Sequence, residues 1–309
     1  MNIIGNRKIF LFISGALMTL SLFPVLFFGF KQGIDFQGGT LLNLEIPGNV
    51  TPQNLETFFR DKLSSNVTVI SGSQDDFLIR LEAISEDNHQ SYIKQLIQEF
   101  PGVKELSFQS IGPTIGKELQ KSSMLALVFV LLGISAYIAF AFRKASRPVS
   151  SWKYGVVTLI SLLHDIVIPA GLVAFLGRTH GMEIDTNFIV ALLVIMGFSV
   201  HDTIVVFDRI RENLIHPPAH IMQKGGGNVK DKYNFSAIVN TSINETFARS
   251  LNTSLTLIVV LVALLLFGPV TLTNFVLILL VGVTSGTYSS IFVASPLLTL
   301  WHDLSKKGR

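Results

Sequence analysis

Two acidic residues in apolar segments, Asp165 and Asp202, are the residues whose types and positions point most directly to chemistry. A charged carboxylate at the centre of a membrane helix costs roughly 2.5 to 3.5 kcal/mol, and such residues usually face a bundle interior or a water-filled path. Each acid follows a histidine, in the pairs His164-Asp165 and His201-Asp202. An ionisable carboxylate that faces polar groups at membrane depth can bind and release a proton, so the pattern predicts a proton relay.

A metal site is the alternative chemistry for two histidines and two aspartates. Adjacent residues on a helix are rotated by about 100° and do not converge on one ion, so the spacing argues against a metal. We therefore predict no metal and no cofactor. We expect each aspartate to point inward, and each histidine to support it or to pack on a neighbour.

A polar stripe before the fifth apolar segment offers a partner for Asp202. It consists of residues at three- and four-residue spacing on one face of a continuous helix: Ser242, Glu245, Arg249, Asn252, Thr253 and Thr256. Glu245 and Arg249 form a favourable i, i+4 pair worth ~0.2 to 0.5 kcal/mol, and Arg249 alone could be a snorkelling helix-end residue. The fourth and fifth helices are joined by a loop and run antiparallel, so we expect Asp202 to face this stripe.

The elements that must position these residues are membrane helices. The chain has 309 residues, of which 49% are hydrophobic and 15% charged, and its mean hydropathy is +0.52. About 20 residues of helix cross a bilayer core, so the long apolar runs predict a helical integral membrane protein. Six spans are expected, at residues 9–30, 122–142, 155–176, 188–207, 251–267 and 273–301. The predicted domains are residues 1–30, 31–121 and 122–309, with a cytoplasmic loop at 208–250.

The basic residues predict the orientation, because short loops rich in Lys and Arg stay in the cytoplasm. With both termini inside, the cytoplasmic segments hold 15 of the 24 basic residues. Residues 31–121 are then extracytoplasmic. The formal net charge of +3 requires no nucleic-acid partner, and the absence of cysteine excludes disulfides and thiolate ligands.

Residues 31–121 predict one small α+β domain. Strands at 40–46, 67–71, 77–82 and 103–109 alternate with helices at 51–63 and 86–100, in the β-α-β-β-α-β order of a ferredoxin-like fold. Thr51 is a good N-cap before Pro52. The acids and bases of this domain are scattered and form no catalytic constellation. We therefore expect a binding or load-bearing module and no enzyme.

A glycine-rich segment, GIDFQGGT at residues 33–40, leads into the first strand. Gly38 and Gly39 predict positive φ or a close backbone approach. A phosphate-binding loop would need a helix after the glycines, and here a strand follows. Gly33, Asp35, Gly38 and Gly39 are therefore interpreted as a connector or hinge.

Small and flexible residues mark two further segments. Gly282 and Gly286 with Ser285, Ser289 and Ser290 predict close helix packing in the last span. Residues 215–234 contain two prolines and three consecutive glycines, which predicts a flexible insertion.

Three motifs together resemble those of the SecF family of membrane subunits. They are GFSVHDTIVVFDRIREN at residues 197–213, GIDFQGGT at 33–40 and ARSLNTSLT at 248–256. Two features differ from the family pattern. His201 stands where asparagine is usual and adds a second titratable group, and the 215–234 insertion is longer than usual.

The resemblance implies proton-driven help with late protein export across the bacterial inner membrane. The implied partners are a SecD-like subunit, the Sec channel complex, the exported unfolded polypeptide and membrane lipid. Asp202 matches the family's functional carboxylate, Arg249 its conduction-linked arginine and Asp165 a polar position of the third helix. Two other functions stay open: a proton-coupled small-molecule exporter of the resistance-nodulation type, and a structural partner without coupling.

Overall fold

The computed structural model describes residues 1–72, 75–145, 149–218, 221 and 234–307. The chain forms two compact units. The larger, here called the bundle, contains Met1–Phe30, Ala126–Met182 and Phe188–Arg309, and the smaller, here called the soluble unit, contains Lys31–Leu125 and Glu183–Asn187. Most of the predicted insertion at 215–234 lies outside the described residues.

Six helices among the described residues are long and apolar enough to cross a membrane, as the sequence predicts. They are α1 (Arg7–Phe27), α5 (Pro113–Ala141), α6 (Ser151–His180), α7 (Thr186–Ile215), α8 (Phe235–Phe267) and a last span that starts with α9 (Thr273–Ser289). Half of the apolar window is buried in α6 and in α7, against 11% in α1 and in α5. The window of the last span is 67% buried, so the third, fourth and sixth spans are the most enclosed in the bundle.

The helices extend well beyond the predicted apolar runs. α5 begins at Pro113 instead of residue 122, α8 begins at Phe235 instead of 251, and α7 continues past 207 to Ile215. Hydropathy locates only the part of a helix that can lie in hydrocarbon, whereas the backbone hydrogen bonds continue as far as caps and side chains allow. At the start of α8, the Asn234 side chain accepts a hydrogen bond from the Ser236 N–H at 3.1 Å and caps the helix.

The last span departs from one continuous helix. α9 ends at Ser289, a π-helical turn covers Ser290–Ala294, and α10 covers Ser295–Lys307. A π turn inserts one residue into an α-helix and commonly occurs at functional sites. The predicted span at 273–301 was correct in place but missed this change of helix type.

The soluble unit shows the predicted order of strands and helices. Its elements are α2 (Ile34–Gln37), β1 (Gly39–Glu45), α3 (Pro52–Leu63), β2 (Thr68–Ser71), β3 (Asp76–Leu81), α4 (Glu86–Glu99) and β4 (Lys104–Ile111). The sheet order is β2-β3-β1-β4, every neighbouring pair is antiparallel, and Thr40 pairs with Leu81 and Ser110. The short helix α2 was not predicted. The assignment to the ferredoxin-like fold stays a prediction.

Alternation along the strands and helical spacing along α3 and α4 build the core of this unit. Leu42 and Leu44 of β1, Ile79 of β3, Phe59 of α3 and Leu96 of α4 are all almost fully buried in one cluster. The predicted cap of α3 is confirmed. The Asn54 N–H donates to Thr51 Oγ1 at 3.3 Å, and Pro52 is the first helical residue.

Candidate functional site

Asp165 of α6 lies at the centre of a buried polar cluster in the bundle. It has no exposed surface. Ser199 and Ser289 donate hydrogen bonds to Oδ2, the latter at 2.7 Å, while Ser285 donates to Oδ1 at 3.3 Å. His164 Nδ1 lies 2.9 Å from Oδ1. Serine hydroxyls can donate or accept, so the same cluster can satisfy this carboxyl group in either protonation state.

His164 is equally buried, and only one of its ring nitrogens has a described partner. Its Nδ1 faces Asp165, while its Nε2 is buried without a hydrogen-bond partner among the described residues. The ring lies alongside that of Tyr288, with centroids 6.2 Å apart. The prediction that the histidine supports the aspartate is confirmed for this pair.

Asp202 of α7 points inward, as predicted, and is 6% exposed. Its Oδ2 accepts a hydrogen bond from Ser290, the first residue of the π turn. Ser289 precedes it and donates to Asp165. Two consecutive residues therefore bind two carboxyl groups on two different helices.

Close packing between α9 and α7 brings these hydroxyls into reach. A methyl group on Gly282 would lie 2.1 Å from the side chain of Ile195, and one on Gly286 would lie 3.0 Å from Ser199 Cβ. The predicted close packing of the last span is confirmed. The sequence interpretation nevertheless missed that Ser285, Ser289 and Ser290 are also the hydrogen-bond donors of the site.

The predicted contact between Asp202 and the polar stripe of α8 is wrong. The side chains of Arg249, Asn252, Thr253 and Thr256 are exposed, and Asp202 instead binds α9 and the π turn. The buried polar face of α8 consists of Ser242, Thr246, Ser250 and Ser254. Three- and four-residue spacing shows which residues share a face, but it does not show which face turns inward.

His201 is exposed, whereas the adjacent Asp202 is buried. The structure shows no hydrogen bond between His201 and Asp202, in contrast to the adjacent pair His164 and Asp165. Of the two expected roles for the histidines, support of the neighbouring aspartate is thus not seen for His201.

The charged end of α7 contacts α8 through Glu245. Arg209 Nε donates to Glu245 at 2.7 Å, and Asn213 Nδ2 donates to the same carboxylate at 2.7 Å and to Ser242 at 2.9 Å. The predicted pairing of Glu245 with Arg249 along one helix is not observed, because the carboxylate turns towards α7. These contacts tie the two antiparallel helices together at one end.

The glycine-rich connector belongs to the soluble unit. Gly38 has φ +83° and Gly39 has φ +142°, and a methyl group on Gly38 would lie 2.8 Å from Pro113 backbone atoms. Positive φ and close backbone approach are both confirmed. Asp35 has a role that sequence reasoning missed, because its Oδ2 accepts a hydrogen bond at 2.9 Å from the N–H of Thr186, the first residue of α7.

No group of three or more metal-ligating side chains occurs among the described residues. The C-terminal family of the protein export membrane proteins SecD and SecF matches residues 92–304, and the SecD/SecF GG motif matches residues 25–46. Of the three motifs that carried the resemblance, GIDFQGGT lies inside the second match and the other two lie inside the first.

Relatives of similar length carry one name. The protein translocase subunit SecF of Thermobaculum terrenum is 38% identical over 98% of this chain and 94% of the relative. That of Anaerolinea thermophila is 37% identical with the same coverage. The crystal structure of SecDF, a translocon-associated membrane protein from Thermus thermophilus, matches all of this chain and 39% of its own, with a TM-score of 0.79 and 32% identity. The chain is a multi-pass membrane protein of the bacterial inner membrane and belongs to the SecD/SecF family, as a SecF-type protein translocase subunit.

Proposed function

We propose that this subunit couples proton movement at Asp165 and Asp202 to protein export. The observation that carries the proposal is the pair of buried carboxyl groups on α6 and α7, each bound by one of the consecutive residues Ser289 and Ser290. A change of protonation at either acid changes a hydrogen bond to the same turn. A proton that crosses 100 mV supplies ~2.3 kcal/mol, which shifts a two-state equilibrium by roughly fiftyfold.

The outward polar stripe supports a membrane partner for this bundle. Arg249, Asn252, Thr253 and Thr256 point away from the chain's own core at helix positions that continue into an apolar run. Arg249 directly precedes the apolar run at 251–267, where an arginine side chain that faces lipid is unfavourable, so a protein surface is the better neighbour. The SecDF relatives of Thermus thermophilus and Bacillus subtilis match this chain over 35% and 38% of their length, which leaves room in one polypeptide for a SecD-like part. We infer that the stripe faces a SecD-like subunit.

The topology completes the proposal. Both termini are cytoplasmic, and residues 31–121 form an extracytoplasmic ferredoxin-like domain with no enzymatic activity. That domain and its SecD-like counterpart engage the exported polypeptide as it leaves the Sec channel complex. Protonation at the buried acids then changes the bundle and moves the external domains.

The test replaces Asp202 by Asn in a complex with the SecD-like partner and measures export into proteoliposomes with and without a proton gradient. We expect the stimulation of export by the proton gradient to fall at least tenfold, because the amide of asparagine does not bind and release a proton as a carboxyl group does. Asp208→Asn is the matched control, since Asp208 lies on the same helix but forms a surface ion pair with Arg211 at 2.8 Å. Undiminished stimulation in the Asp202 variant would refute the coupling and leave a structural subunit.

A further inference from the structure

The short segment between α6 and α7, residues 183–187, is built into the soluble unit. Gln32 and Ile184 form a parallel β-bridge. The Ile184 N–H donates to the Lys31 carbonyl at 2.8 Å, and the Gly33 N–H donates to the Ile184 carbonyl at 2.7 Å. The backbone of this segment is therefore paired with the entrance to the glycine-rich connector.

Side chains reinforce the same pairing. Glu183 forms ion pairs with Lys31, at 3.1 Å, and with Arg80 of β3. Burial lowers the pKa of Arg80, and the charges of Asp185 and Asp35 partly oppose this effect. Alternating charges from the segment, the connector and the sheet thus meet in a partly buried cluster, where such pairs are stronger than at an exposed surface.

Asp35 acts on the start of α7 itself. Its carboxylate accepts the hydrogen bond of the Thr186 N–H, one of the four N–H groups that a helix leaves unpaired at its start. A carboxylate at this end also interacts favourably with the helix dipole. α7 then runs without interruption from Thr186 past Asp202, about 24 Å further along at 1.5 Å per residue.

We propose that the 183–187 segment is a permanent mechanical link that transmits movement of α7 to the soluble unit. The inference rests on the proposed function, because it needs Asp202 to move α7. Asp35 and Glu183 are positioning residues that hold the first turn of the helix to the sheet. The link stays closed throughout the cycle, so a displacement that starts at Asp202 reaches the soluble unit through an unbroken helix and a paired backbone.

The chain contains no cysteine, so a disulfide between Gln32→Cys and Ile184→Cys can be formed and reduced without competing thiols. Export into proteoliposomes would be measured for four proteins with the SecD-like partner, each oxidised and reduced: parent, double cysteine, Asp35→Ala, and Asp35→Ala with both cysteines. We expect the oxidised double-cysteine protein to export within twofold of its reduced form. We expect Asp35→Ala to reduce gradient-driven export at least fivefold. We expect the disulfide to restore most of this export in the variant that carries both cysteines.

Restoration on oxidation assigns the defect of Asp35→Ala to this segment, provided that parent and variant are recovered in equal folded yield, because a disulfide could also offset a general loss of stability. If the disulfide stops export, the segment must open during the cycle. If the Asp35→Ala variant exports normally, the contact between Asp35 and Thr186 is dispensable. Either result overturns the inference. Gly33→Ala gives a second route without a disulfide. Its methyl group would lie 3.0 Å from the Ile184 carbonyl, whereas Gly112→Ala has open space and is the control. Equal export by the two glycine variants counts against the link, while loss of coupling in Asp202→Asn tests only the proposed function.

Discussion

Replacing Asp165 by alanine tests whether the buried cluster is the structural centre of the bundle. Four polar groups contact this carboxyl group, and among the described residues only Ser289 has another acceptor, the Gly286 carbonyl at 3.1 Å. The substitution therefore leaves His164 Nδ1, Ser199 and Ser285 without their acceptor. Polar contacts between membrane helices average about 0.6 kcal/mol and reach about 1.7 kcal/mol. Three lost contacts then predict a decrease of about 2 to 5 kcal/mol in the free energy of unfolding.

The two tryptophans of the chain provide the measurement. Trp152 of α6 and Trp301 of α10 contact each other edge to face, with ring centroids 5.0 Å apart, so their fluorescence reports separation of the third and sixth spans. Unfolding in mixed micelles would be followed for Asp165→Ala and for Asp165→Asn. The asparagine variant keeps one carbonyl oxygen, so we expect it to lose about half as much stability as the alanine variant.

Ser161→Ala is the control for volume and position. Ser161 lies on the same helix, is buried, and its hydroxyl has no hydrogen-bond partner among the described residues. Removal of that hydroxyl breaks no described contact, so we expect a change of less than about 0.5 kcal/mol. If Asp165→Ala loses no more stability than Ser161→Ala, the carboxylate does not organise the cluster.

Two further predictions address the exposed stripe and the soluble unit. Arg249→Ala should reduce the recovery of a SecD-like subunit several-fold when the complex is copurified in mild detergent. Arg211→Ala, at the end of α7, is the control and should not reduce it. Equal recovery with the two variants would contradict an interface at the stripe. Hydrogen bonds from Gln90 and, to a smaller extent, from His89 lower the pKa of Glu86 below its ordinary value of 4.5. The ionised form of Glu86 therefore stabilises α4 at pH values above 4.5, and this stabilisation is lost as the pH falls below 4.5. Hydrogen exchange in α4, corrected for its intrinsic rate, should therefore accelerate below pH 4.5, and Glu86→Gln should flatten this dependence; an unchanged slope would refute it.

The sequence predicts the elements of this fold better than their ends. Alternation in residues 40–46 and helical spacing around Phe59 follow from burial on one face, so β1 and α3 were placed within one residue. The start of α8 depends instead on a side-chain cap by Asn234, which hydropathy does not detect. The short helix α2 depends on contacts of the connector with residues far along the chain, so no local pattern marks it.

The candidate site was predicted in part. The free-energy cost of burying a charge in a membrane singles out the acidic residues, but it does not identify the residues that bind them. Asp165 and Asp202 stand out from the sequence, since a carboxylate in an apolar run needs a polar neighbour. Serine carries no such signal. Ser289 and Ser290 are small enough for close packing and polar enough to bind a carboxylate, so the packing interpretation concealed the second role.

The polar stripe of α8 shows how a wrong contact still carries information about assembly. The prediction paired Arg249 with Asp202 because both are costly in a membrane and lie on adjacent helices. In the structure Asp202 satisfies its carboxylate within the chain, while Arg249 and Asn252 remain on the outside. In the isolated subunit the charge of Arg249 therefore has no buried polar partner among the described residues, whereas that of Asp202 has one. The exposed arginine therefore supports the proposal that a SecD-like subunit covers this face of the bundle.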